Sequence, residues 1–164
     1  MSAQSIIQTL QQLVDLHREL NKMAQEKTEA IKAEELKSLS SLLVQERKLV
    51  VAIERLENVR QSDVHAFLRE KGVQNGTALL SECIQYASEN VRTELTSLGV
   101  ELREEIISLK ERNELNQQLI YQSLQFVNLN LNLMLPENES YTYDRPQDPE
   151  GARKPSKSLF YSKA

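Results

Sequence analysis

No proline occurs in the first 135 residues: Pro136, Pro146, Pro149 and Pro155 all lie beyond them. A proline inside a helix costs roughly 3 kcal/mol, so this stretch is free to build long helices. It also carries helical periodicity. Ile6, Leu10, Leu13, Leu20, Ala24 and Ile31 recur at multiples of three and four residues, with His17 and Lys27 filling the gaps. That spacing places them on one helix face. Leu36, Leu39, Leu43, Val50, Ile53 and Leu56 repeat the pattern. A single helix through both runs would extend about 90 Å with nothing to bury its stripe against. A tight turn near Ala33–Glu35, joining two antiparallel helices, is therefore expected.

The segment Gln61–Ser88 is more broken. Lys71–Thr77, "KGVQNGT", holds two glycines and an Asn-Gly pair, which tolerate positive φ and mark a turn. Short helices are expected around it, in "VHAFLRE" and "TALLSECIQYA". From about Ser88 to Leu135 a third long helix is expected, with Val91, Leu95, Leu98, Leu102, Ile106 and Leu109 on one face and Gly99 tolerated inside it. Asn113 and Asn116 continue that face. Polar residues at such positions fix register and orientation between packed helices.

The end of this helix poses a sharper question. Leu129 to Leu135, "LNLNLML", alternates apolar and polar residues as a half-buried strand would. No second strand candidate exists to pair with it, so the reading is a helix end. On a helix, Leu115, Leu119, Phe126, Leu129 and Leu133 line one face, and Ile120, Leu124, Val127, Leu131 and Met134 line another. A helix apolar around most of its circumference is normally buried. A small bundle covers one of these faces and leaves the other as an interaction surface. Past Leu135 the periodicity stops. The stretch 136–164 reads as a disordered, proline-containing tail, and 1–135 as the folded helical domain. In the tail, acidic residues dominate through Glu150, only basic ones follow, and Leu159, Phe160 and Tyr161 form a short apolar cluster.

Composition excludes several functions. The chain has 164 residues, a net charge of −4 and no basic stripe, which argues against nucleic-acid binding. Its longest uninterrupted apolar run in the first half, Leu49–Ile53, is far short of the ~20 residues of a membrane span. The N-terminus shows no basic region followed by an apolar one, and Cys83 is the single cysteine, so a cytoplasmic, reducing location is expected. His17, His65 and Cys83 show neither metal-ligand spacing nor a nucleophile–base arrangement, and packing roles are expected for all three. No Glu-x-x-His pair marks a metal site in the bundle. Neither an enzyme nor a cofactor is expected.

The helical hairpin with its charged second helix ("LVQERKLVVAIERLENVR"), the "AFL" of the middle segment, the "NELNQQL" of the third helix and the ending "SKSLFYSKA" together resemble flagellar export chaperones of the FlgN family. Members often carry a Gly-Asp-like pair at the hairpin turn, where this chain has Ala33-Glu34-Glu35. The resemblance implies an all-α chaperone that binds the C-terminal segments of the hook-associated proteins FlgK and FlgL, prevents their premature assembly and aids delivery to the flagellar type III export apparatus. Leu119, Ile120, Leu124, Phe126, Val127, Leu131 and Met134 are then the client-facing candidates. Tyr141 and Tyr143 are the candidates for docking on the export gate. The alternative is a structural coiled-coil protein that homodimerises through its C-terminal helix.

Overall fold

The computed structural model describes residues 2–73, 77 and 79–134. They form four helices: α1 (Ser2–Lys32), α2 (Leu36–Glu70), α3 (Leu80–Tyr86) and α4 (Glu89–Met134). The expected disordered tail, 136–164, lies outside the described residues, as does Leu135. The stretch from Leu129 to Met134 is helical, so the period-2 pattern is a helix end, as the absence of a pairing strand requires.

Both long-helix stops of the hairpin are closed by the same backbone device. At the end of α2, Gly72 takes φ 81, the N–H of Val73 donates to Leu68 O at 2.9 Å, and that of Gly72 donates to Arg69 O at 3.0 Å. This is a Schellman motif with glycine at its left-handed position, and Val73 packs back on the core as its apolar partner. At the end of α1 the same pair of bonds runs from Glu35 N–H to Ala30 O (2.9 Å) and from Glu34 N–H to Ile31 O (3.2 Å). Here the left-handed residue is Glu34, at φ 57. The turn thus falls at Ala33–Glu35, where the burial argument put it, although no glycine announces it.

Two expectations need correction. First, α2 does not end near residue 60: "VHAFLRE" forms its last turns, and Leu80–Tyr86 is the one separate short helix among the described residues. Val64, Phe67 and Leu68 are buried there, so the apolar face continues through the polar stretch that looked like a break. Second, Leu36, Leu43 and Val50 do not face the core but are exposed. The half-buried line of α2 runs through Leu39, Leu42, Glu46, Leu49, Ile53 and Leu56. This helix carries two apolar lines, and the sequence pattern merged them.

The packing order explains why. Helix α1 lies between α2 and α4, and no Cα of α2 comes within 8 Å of a Cα of α4 among the described residues. A helix sandwiched between two others must bury two faces, and α1 does. Beyond its expected stripe it buries Ile7, Val14, Met23, Thr28 and Ala30. The flanking helices bury far less, with only Val64, Phe67 and Leu68 fully inside on α2 and Leu95, Leu98 and Asn116 on α4.

Directions follow from the cross-helix bonds. Ser5 bonds Asp63 and Lys27 bonds Glu46, so α1 and α2 are antiparallel. Arg18 pairs with Glu101, Asn21 donates to Glu105 O at 2.9 Å, and Thr28 bonds Asn116, so α4 runs parallel to α1. The main core sits at one end of this array, where α3 closes over it. Ile6, Leu10, Val64, Phe67, Cys83 and Leu95 are among its members. At Gly99 the side chain of Leu80 comes so close that an added Cβ would meet its Cδ2 at 2.9 Å. Glycine inside α4 therefore admits the α3 contact, which gives a packing reason for a residue that helix propensity disfavours.

Candidate functional site: the overhang of the last helix

The opposite end of the array is where α4 outlives its partner. Asn116 is held against α1 by two hydrogen bonds: Thr28 Oγ1 donates to its Oδ1 at 2.6 Å, and its Nδ2 donates to Ala24 O at 2.9 Å. This bears out the register role read for the asparagine, which is 4% exposed. Asn113 is half-buried. Four residues of α1 follow Thr28, whereas 18 residues of α4 follow Asn116. The surplus of 14 residues carries α4 about 21 Å past the end of α1.

The residues that α4 turns toward α1 are Leu95, Leu98, Leu102, Leu109 and Asn116, all buried or half-buried. At 3.6 residues per turn this line continues directly into Ile120, Leu124, Val127, Leu131 and Met134. These five are 40–82% exposed. The core-facing seam of the helix therefore runs on after the helix it packs against has stopped. A second apolar seam lies on nearly the opposite side, through Leu115, Phe126, Leu129 and Leu133, all exposed, with Leu119 half-buried. No Asp, Glu, Lys or Arg occurs between Leu115 and Met134.

The structure does not bring the seven candidate residues to one face. Ile120, Leu124, Val127, Leu131 and Met134 share the first seam, while Leu119 and Phe126 belong to the second. The expectation that one of the two faces would enter the bundle core does not hold either, because α1 ends before it can cover this part of α4. At the root of the overhang a groove of ≈ 570 Å³ opens between α4 and the hairpin tip. Ile31, Leu36 and Leu39 line it on the hairpin side, and Ile120, Leu124 and Val127 line it on α4, joined by Phe126 from the second seam. Its only charged lining residues are Glu34 and Glu35. Sequence reasoning missed Leu36 and Leu39 as surface-forming residues because they were assigned to the core line of α2. The signal was their place immediately after a turn, where a long neighbouring helix has no partner yet.

The remaining candidates for chemistry are spread over three helices. Cys83 is fully buried, and burial pushes its thiol up to about 11, the reverse of what a nucleophilic cysteine needs. His17 Nδ1 lies 2.7 Å from Leu13 O on its own helix. His65 is exposed, which corrects the packing role expected for it; it sits on the outward side of α2, between the buried Val64 and Phe67. Among the described residues no group of three His, Cys, Asp or Glu side chains could hold a metal ion. Among them, too, no helix is long and apolar enough to cross a membrane. Tyr141 and Tyr143 lie outside the described residues.

The sequence profile of one family, described as FlgN protein, matches residues 1–151. The chain belongs to the FlgN family. It is also similar to YvyG of Bacillus subtilis (strain 168), an uncharacterized protein, with 35% identity over 164 residues and 100% of each chain covered. No solved structure matches. Membership in the FlgN family supports a role as a flagellar export chaperone, and chaperones of this family are not enzymes.

Proposed function

We propose that this protein captures the C-terminal segments of FlgK and FlgL on the α4 overhang, prevents their premature assembly and hands them to the flagellar type III export apparatus in the cytoplasm. The observation that carries the reading is the continuation of the core-facing seam of α4 past the end of α1. An amphipathic client helix laid in line with α1 buries Ile120, Leu124, Val127, Leu131 and Met134 in the way α1 buries the earlier part of the same seam. Fully burying such side chains stabilises by roughly 1.5–3 kcal/mol each relative to exposure. Coupled folding of a disordered client spends roughly 2–5 kcal/mol of that gross energy on ordering, so the net affinity is moderate and the client releasable. Tyr141 and Tyr143 follow the overhang in sequence and are assigned the export-gate contact.

Co-purification with FlgK and FlgL fragments, with and without their C-terminal segments, tests the proposal. Capture is expected only when those segments are present, and binding that survives their removal overturns it. Leu124 is 57% exposed, so Leu124→Asp should leave stability within about 0.5 kcal/mol of the parent and abolish capture. A second reading, a structural protein homodimerising through α4, draws on the same bare seam. It requires a stable dimer that Leu124→Asp breaks and no client bound by either form.

A further inference from the structure

Apolar side chains and the carboxylates of Glu34 and Glu35 line the groove at the hairpin tip, and the chain itself carries the complement. Leu159, Phe160 and Tyr161 form an apolar cluster flanked by Lys157 and Lys163, and no acidic residue occurs after Glu150. The family profile ends at residue 151, short of this cluster. We propose that the segment around Leu159–Tyr161 docks into the groove of its own chain, with the apolar side chains against Leu36, Leu39, Ile120 and Leu124 and the lysines beside Glu34 and Glu35.

Reach favours this occupant. Helix α4 ends at Met134, seven residues beyond Val127 and 14 beyond Ile120, which puts the groove about 10–21 Å from the point where the tail departs. Residues 135–158 separate that point from the cluster, and a linker of 24 residues has a typical end-to-end span of about 25–29 Å. The distance lies within that span, so the cluster sits at an effective concentration on the order of mM. For a contact of this size with a Kd on the order of mM, this effective concentration gives an occupancy of about one half. Charge supplies direction: the tail past Glu150 holds Arg153, Lys154, Lys157 and Lys163, whereas Glu34 and Glu35 are the only charges lining the groove.

The docked tail covers the root of the seam assigned above to the client. This consequence rests on that reading. A site half-occupied by its own tail binds a client about twofold more weakly than an open one.

The test uses the full chain with Ser162→Cys carrying a spin label; Cys83, fully buried, is left unlabelled. Amide signals of Leu36, Leu39, Ile120 and Leu124 should broaden, without change on tenfold dilution, and far less when Glu34→Lys and Glu35→Lys are introduced. No broadening, or broadening indifferent to the charge reversal, overturns the proposal. So does broadening of an isotope-labelled, unspun chain by a separate spin-labelled one, which would make a second copy the occupant. A parallel titration of client fragments into the parent and a Leu159→Ser/Phe160→Ser/Tyr161→Ser variant should show about twofold tighter binding by the variant. If the free chain shows the broadening but neither form binds client, the capture reading fails and the tail docking stands.

Discussion

Thr28 and Asn116 form a buried polar pair between α1 and α4, and the geometry makes their two removals unequal. When Asn116→Leu is introduced, Thr28 is not orphaned, because its hydroxyl lies 3.0 Å from Ala24 O and can turn to donate there. Ala24 O loses the side-chain donor but is a helix carbonyl. The cost is therefore that of hydrogen bonds lost without a stranded partner, offset by the apolar shape of leucine, and comes to about 1 kcal/mol or less. When Thr28→Val is introduced instead, Asn116 Oδ1 loses the donor at 2.6 Å and stays buried. An unsatisfied buried acceptor costs about 1–3 kcal/mol, so about 2 kcal/mol is expected. In the double variant there is no amide left to strand. The valine should then cost close to nothing, giving a coupling of about 2 kcal/mol. Urea unfolding of the four proteins, followed by far-UV circular dichroism and extrapolated to water, measures it. If Thr28→Val costs the same in both backgrounds to within about 0.5 kcal/mol, the pair is not coupled and the register argument for Asn116 fails.

Three further outcomes are expected. Lys27 and Glu46 pair at 2.6 Å with side chains 10% and 20% exposed, so Glu46→Leu alone strands a mostly buried ammonium and should cost about 3 kcal/mol, while adding Lys27→Met should recover most of it; denaturant midpoints decide. At the hairpin turn Glu34 holds φ 57 at the C-terminal end of a helix, where both its backbone and its charge are unfavourable, and Glu34→Gly should raise stability by about 1 kcal/mol; an unchanged or lower melting temperature would refute this. The hydrogen bonds from Arg60 Nε and Nη2 to the Glu57 carboxylate, at 2.7 and 2.6 Å, hold its pKa below the ordinary 4.5. A lowered folded value means that this stabilisation is fully present above about pH 4.5 and is lost as pH falls through the folded value. Arg60→Ala should accordingly flatten the acid limb of stability against pH, and an acid limb identical to the parent's would show that the pair contributes nothing.

Much of the helical layout was legible because it depends on near neighbours in sequence. Proline exclusion permits long helices, the stripe from Ile6 to Ile31 names the buried face of α1, and the need to bury that stripe forces a turn at Ala33–Glu35 even without glycine. The asparagine at a core position announces a register pin for the same reason: a polar group among apolar neighbours must find a partner. Helix α2 marks the limit. Its two apolar lines, one through Leu39, Leu42 and Leu49 and one through Leu36, Leu43 and Val50, have the same periodicity. Which line turns inward depends on where α1 lies, and local spacing carries no information about that.

The same reasoning bounds what could be known of the candidate site. By itself the sequence determined that α4 has more apolar surface than one neighbour can cover, since residue spacing and helix pitch suffice for that. Only the tertiary structure decided that α1 is the shared central helix, that α4 runs parallel to it, and that α4 continues about 21 Å beyond its end. Those three facts turn the inner seam of α4 from core into surface at Ile120. The reason is physical: burial belongs to a pair of helices, and a helix's own sequence does not contain the length or direction of its partner.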